Sequence, residues 1–231
     1  MSDHPAPTPG CAGCPFKNAE RLCMKLEGKH PESCPTHLRE DVVARAMREY
    51  AKPEIRAFAL NASLQEAEGY AERESGYARV RPVKPRLLEI AEFARRMGYV
   101  RLGLVFCAGL AGEGKLAAEF YEAKGFEVVS VICKVGQVPK ESLGVKDHQK
   151  IAIGRHESMC NPISQAFLMN AAKTHFNVLL GLCVGHDSLV FKYSEAPCTV
   201  LAAKDRVFGH NPLAAIYTLE SYYRYLNQPP E

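Results

Sequence analysis

Beyond residue 100 the chain alternates short, almost unbroken apolar runs with amphipathic stretches. The runs 101–107, 126–133, 176–183 and 198–203 each predict a strand. Uninterrupted apolar runs of this length suit strands whose two faces are both covered by helices. The intervening patterns predict helices: one from the small-residue turn 108–114 to Lys124, one from near Pro162 to about Thr174, and a short one after His186. A last helix is predicted from near Pro212, packing Leu213, Ile216, Tyr217, Leu219, Tyr222, Tyr223 and Leu226. Four βα units in series predict a Rossmann-like α/β domain over 99–231, with a doubly wound parallel sheet of about four strands and right-handed crossovers.

The preceding segment, 39–98, reads as a helical connecting region. A helix from Asp41 to Lys52 is stopped by Pro53, which can itself open the next helix because its missing N–H costs nothing there. That second helix carries Ile55, Phe58, Ala59 and Ala62 on one face. A further helix from Pro85 has the stripe Leu87, Ile90, Ala91, Ala94 and Met97, with Gly98 as its C-cap. Residues 11–38 have almost no periodic apolar pattern and four cysteines. Hydrophobic burial cannot fold such a segment, and a bound metal is the usual substitute. The expected organisation is therefore a cysteine-rich metal module over 1–38, the helical region over 39–98 and the α/β domain over 99–231.

Composition narrows the class. The formal charge of +3 over 231 residues is too small to argue for nucleic acid. No apolar stretch approaches the ~20 residues of a membrane-spanning helix, and MSDHPAPTPG has no basic region leading into an apolar one. A cytoplasmic location is the expectation, where reducing conditions disfavour disulfides. Nine cysteines, an odd number, then call for another role.

Cys11, Cys14, Cys23 and Cys34 follow a C-x2-C-x8-C-x10-C spacing, with His30 and His37 as substitutes for a cysteine. Four thiolates suit zinc or an iron–sulfur cluster. The remaining cysteines are positioned by the predicted sheet. Cys107, Cys133 and Cys183 end the first three strands, and Cys160 precedes the helix at Pro162. In a parallel sheet these positions share the carboxyl edge, where ligands bind. They are expected to converge on one cofactor-binding site, with a redox thiol pair as an alternative, although each alone also fits an ordinary buried thiol. Cys198 begins the fourth strand, on the opposite edge. His186, Lys204 and His210 stand at the carboxyl edge as candidate catalytic groups. Histidine can ligate a metal or move a proton near neutral pH, and Lys134 or Lys204 can neutralise thiolates or bind an anionic substrate. His186 with Asp187 could equally cap a helix.

Nucleotide motifs are missing. Gly109, Gly112 and Gly114 do not form G-x-G-x-x-G after the first strand, and Cys133 occupies the second strand end where an acid would meet a ribose. There is no phosphate-binding G-x-x-x-x-G-K-[ST] and no H-E-x-x-H.

Several long segments carry a resemblance: the four N-terminal cysteines, GLVFCAGL at 103–110, CKVG at 133–136, CNPISQA at 160–166, GLCVGHDS at 181–188 and KDRVFGHNP at 204–212. On these the chain resembles the bacterial and archaeal family DUF1847, a domain of unknown function labelled metal-binding. The resemblance implies metal binding and no particular activity. The leading expectation is a metal-binding protein, iron–sulfur or zinc, with a redox or electron-transfer role at the carboxyl-edge cysteines. Its partners would be a redox protein or a small anionic ligand, not nucleic acid or membrane. The competing expectation is a non-catalytic binding protein with structural zinc at the N-terminal cysteines.

Overall fold

The computed structural model describes residues 8–229. Its contacts divide the chain into two compact units on either side of Leu64 and Gln65. Among the described residues, no helix is long and apolar enough to cross a membrane.

In the first unit, two single 3-10 turns, Cys11–Gly13 and Asn18–Glu20, precede a lone parallel bridge between Arg21 and Lys29. Helices α1 (Pro35–Leu38), α2 (Glu40–Tyr50) and α3 (Pro53–Glu68) follow, the last running past the division between units. Proline opens both α1 and α3, as its fixed φ allows. No described residue through Leu64 is fully buried. The predicted stripe of α3 is only partly covered: Phe58 and Ala59 are half-buried, whereas Ile55 and Ala62 are exposed. Among its described residues this unit has no hydrophobic core.

The second unit has one. It opens with a two-residue antiparallel pair, β1 (Tyr70–Ala71) and β2 (Arg81–Pro82), then α4 (Arg86–Arg96). Ile90, Ala91, Phe93 and Ala94 bury the inner face of α4, and Gly98 takes φ 72° just beyond its end. The parallel sheet contains β3 (Arg101–Phe106), β4 (Glu127–Ile132), β5 (Phe176–Leu180) and β6 (Cys198–Ala202) in the order β4-β3-β5-β6. Helices α5 (Ala111–Ala123), α6 (Pro162–Ala171) and α7 (His186–Tyr193) flank it. Every residue of β5 is buried, and Leu102, Leu104 and Val105 of β3 are at most 1% exposed. The unbroken apolar runs thus mark the two inner strands, as expected for a sheet covered on both faces. After β4 the chain crosses to the far side of β3. The carboxyl ends of β3 and β5 therefore flank a topological switch point, the usual ligand crevice of open α/β sheets.

Two expectations need correction. The last helix, α8, is only Leu213–Tyr217, followed by turns and a 3-10 segment, Arg224–Asn227. The Thr218 hydroxyl donates to the carbonyls of Ala214 and Ala215 at 2.8 and 3.1 Å, an alternative to continuing the helical ladder. Leu213, Ile216, Tyr217, Tyr222 and Leu226 are consequently exposed rather than packed. Strand β5 also stops three residues before Cys183, because Gly181 turns the backbone to φ 63°.

Candidate functional site

Cys107 and Cys133 are set by the sheet ladder itself. Phe106 pairs with Ile132, and the ladder continues one residue further as Cys133 N–H donates to the Phe106 carbonyl at 2.9 Å. Cys107 N–H donates across the sheet to Leu180 at 3.1 Å. Cys160 arrives differently, at the end of the long connection 134–161. A bridge between Pro139 and Ser158 ties that connection to itself, with Met159 N–H donating to the Val138 carbonyl at 2.8 Å. The Lys140–Glu157 ion pair and Lys150, whose ammonium reaches Glu141, Asp147 and the Arg155 carbonyl, fasten the rest. Asn161 N–H then donates to the Cys133 carbonyl at 2.8 Å, while the Asn161 side chain caps α6 through Ser164 N–H. One residue thus starts the helix and lays the Cys160 backbone beside Cys133.

The result is a close sulfur pair. Cys133 Sγ and Cys160 Sγ are 3.8 Å apart. Cys133 is 2% exposed and accepts the Ala108 N–H at 3.2 Å, whereas Cys160 is half-buried. The Lys134 ammonium donates to the Ser158 carbonyl at 2.6 Å and also serves the Cys160 sulfur. The hydrogen bond from Cys133 and the charges of Lys134 and His186 outweigh partial burial and bring Cys160 down to about 5. Cys133 moves the other way, because it donates to Cys160 and is buried. The two sulfurs are thus pushed in opposite directions, Cys160 toward the thiolate and Cys133 away from it.

The other predicted residues surround this pair. Cys107 follows Phe106, which pairs with Ile132 just before Cys133, so the two cysteines leave neighbouring strands at the same level. Cys183 Sγ accepts from the Arg206 guanidinium at 3.0 Å. His186 is the first residue of α7, its N–H donating to the Cys183 carbonyl at 3.0 Å. It makes no side-chain cap; Asp187 binds Ser188 N–H instead. His210, at φ 67°, accepts the Asp205 N–H through Nδ1 at 3.2 Å and so braces the 205–210 loop. Lys204 Nζ stands 3.8 Å from where a Cβ would lie on Gly181 and 3.9 Å from the same point on Gly109. That second point is also 3.9 Å from Cys107 Sγ.

Two contributors escaped sequence reasoning as site residues. Arg206 was visible only as part of a polar cluster. Gln165 is fully buried, and its amide donates to the carbonyls of Val131 at 2.8 Å and Phe106 at 3.3 Å, tying together the strand ends beneath Cys107 and Cys133. A lone glutamine on an apolar helix face was its only signal.

In the first unit Cys11, Cys14, Cys23 and Cys34 line one cavity of about 50 Å³, with Arg21 and Lys29 also in its wall. Burial pushes Cys34 up, but the Thr36 N–H and hydroxyl and the His37 N–H outweigh it and leave the thiol below its ordinary value. The rings of His30 and His37 are 4.5 Å apart. Among the described residues, no three or more His, Cys, Asp or Glu side chains are placed to hold a metal ion, at either cysteine set. The N-terminal four share a cavity without closing on its centre. At the sheet edge a pair meets, while Cys107 and Cys183 take other neighbours.

Fold and site together define an α/β protein with a parallel four-stranded sheet and a paired thiol at its carboxyl edge. The chain belongs to the family described as Protein of unknown function (DUF1847), whose signature matches residues 34–201. It is similar to an uncharacterized protein of Methanocaldococcus jannaschii, 42% identical over 197 residues, covering 84% of this chain and 94% of the relative. No solved structure matches. The matched region contains all four carboxyl-edge cysteines but, of the N-terminal four, only Cys34.

Proposed function

We propose that the protein is a dithiol–disulfide redox protein whose working pair is Cys160 and Cys133, with a soft metal, zinc or an iron–sulfur cluster, held by Cys11, Cys14, Cys23 and Cys34. The observation that carries the first part is the 3.8 Å sulfur separation beside the Lys134 ammonium. Bond formation needs the sulfurs to close to about 2.05 Å, and the Asn161–Cys133 backbone bond already holds the two segments together. The Cys160 thiolate attacks a partner disulfide R–S–S–R, forming a Cys160–S–S–R bond and expelling one R–S⁻. Cys133 then gives its proton to that departing thiolate and attacks the Cys160 sulfur, expelling the second R–S⁻. Two electrons pass from the dithiol to the partner. The half-buried, cation-paired thiolate suits the attacking role and the buried thiol the resolving one.

The shared cavity supports the metal assignment, and Cys34 already collects donors suited to a thiolate. Binding would draw the four sulfurs inward and supply the folding free energy that this unit lacks as apolar burial.

The test is equilibration with reduced and oxidised glutathione, followed by alkylation and peptide mass spectrometry. Cys133 and Cys160 should become protected together through one intramolecular disulfide, and Cys160→Ser should abolish it. Both thiols remaining alkylatable across the titration, with one zinc per chain, would favour the non-catalytic reading. A metal equivalent lost on Cys160→Ser would instead make the edge a metal centre.

A further inference from the structure

At the switch point, the carboxyl ends of β3 and β5 lie beneath an ammonium with no partner among the described residues. Lys204 makes no ion pair, hydrogen bond or ring contact with any described residue. It is half-buried, and it overlooks Gly181, Gly109 and the Cys107 sulfur. Leu110 fills the position a Gly181 side chain would take, whereas a Cβ on Gly109 would meet only the Cys107 sulfur and Lys204 Nζ, both at 3.9 Å, so the open space lies on the Gly109 side. The adjoining acid does not neutralise it either. Asp205 Oδ1 is taken by the N–H groups of Val207 and Phe208 at 2.9 and 2.7 Å. That turn, braced by His210, delivers a second cation to the same edge as Arg206 on Cys183. Leu110, the N-cap of α5, gives no side-chain cap to that helix, so its first-turn N–H groups add a partial positive charge on the β3 side.

We propose that Lys204, with Arg206 beside it, binds the anionic group of a small disulfide substrate over the carboxyl ends of β3 and β5. The inference rests on the dithiol reading above, and it names the substrate class: a low-molecular-weight disulfide bearing carboxylate or phosphate. Cys107 stands near Lys204, and the residues just before Cys107 and Cys133, Phe106 and Ile132, pair in the ladder, so the anion site and the sulfur pair are neighbours. An anion seated there brings a disulfide to the exposed side of Cys160, and the same cation repels no leaving thiolate. A neutral disulfide gains nothing from Lys204.

Two chromogenic disulfides separate these cases: dianionic 5,5′-dithiobis(2-nitrobenzoate) and neutral 2,2′-dithiodipyridine, compared at constant ionic strength. Lys204→Gln should slow reaction of the anionic probe roughly ten-fold, the loss of about 1.4 kcal/mol of charge attraction, and leave the neutral probe unchanged. Lys204→Arg should recover most of the rate, and Lys115→Gln, on the exposed face of α5, should alter neither probe. An unchanged ratio of the two rates in Lys204→Gln overturns the proposal. A second arm uses no thiol chemistry. Inorganic phosphate should raise the melting midpoint of the wild type and of Cys160→Ser alike, but not of Lys204→Gln. If Cys160 reacts with neither disulfide, the dithiol reading falls, and a phosphate effect that depends on Lys204 would leave the anion site standing. If that effect is also independent of Lys204, both fall.

Discussion

Replacing Lys134 with Met separates the cation from the thiol it serves. The methionine keeps an unbranched apolar stem and removes only the ammonium, which donates to the Ser158 carbonyl and holds Cys160 down. A hydrogen bond to a charged group is worth about 1.5–3 kcal/mol. At about 1.36 kcal/mol per pKa unit, Cys160 should rise by roughly one to two units. Cys133 still donates to it, so Cys160 should stay below its ordinary value of 9.0. The assay is the initial rate of iodoacetamide alkylation at Cys160, read by peptide mass spectrometry between about pH 4 and 9. The wild-type profile should half-titrate near 5 and the variant between about 6 and 7, with the variant reacting roughly five- to fifty-fold more slowly at the wild-type midpoint. A Lys134→Met profile within about 0.3 unit of the wild type would refute the role of Lys134 in holding Cys160 down, and a wild-type midpoint near the ordinary value of 9.0 would refute the thiolate at Cys160.

Other perturbations probe the scaffold. Gly181→Ala places a Cβ 2.0 Å from Leu110 Cδ1 at φ 63°, and left-handed strain of about 1–2 kcal/mol plus overpacking of about 1–3 kcal/mol should lower the urea midpoint clearly. Gln165→Leu leaves the Phe106 and Val131 carbonyls without their amide donor, and equilibrium unfolding should report a loss of about 2–4 kcal/mol; an unchanged midpoint would remove Gln165 from the site's support. Because Cys160 is depressed in the folded state, its stabilisation is complete above its ordinary value of 9.0 and is lost as pH falls through about 5. The urea midpoint of the wild type should therefore exceed that of Cys160→Ala at pH 8.5 and converge with it near 5, and a constant difference would contradict the linkage. Cys14→Ser should release about one metal equivalent and expose residues 11–38 to protease while the second unit stays folded, as metal analysis and limited proteolysis would record.

The two inner strands were readable because they are buried on both faces, while β4 and β6, only partly buried, were legible from their apolar runs alone. Cys107 and Cys133 follow directly, each one residue past a strand. Cys183 sits further out, since only the backbone could reveal that Gly181 ends β5 early. The arrival of Cys160 had no periodic signature. It depends on Lys150 reaching Glu141 and Asp147 and on the backbone bond from Asn161 to Cys133. The overlong final helix came from a true apolar spacing that Thr218 interrupts through its own hydroxyl. At the N-terminus the spacing named four cysteines, and all four do line one cavity. Spacing says nothing, however, about how far sulfurs stand from a common centre.

The separation of 27 residues between Cys133 and Cys160 also ties heat resistance to electrochemistry. A bond between the two sulfurs would turn the intervening segment into a closed ring, restricting the unfolded chain by roughly 3–4 kcal/mol in the chain-entropy treatment. A thermodynamic cycle requires the same quantity to appear when the bond is formed in the folded rather than the unfolded protein. At about 30 mV per 1.4 kcal/mol, folding would shift the couple roughly 60–90 mV toward the reducing side. Substitutions that loosen the ion pairs of this ring should thus make the protein a stronger oxidant even when they touch neither sulfur.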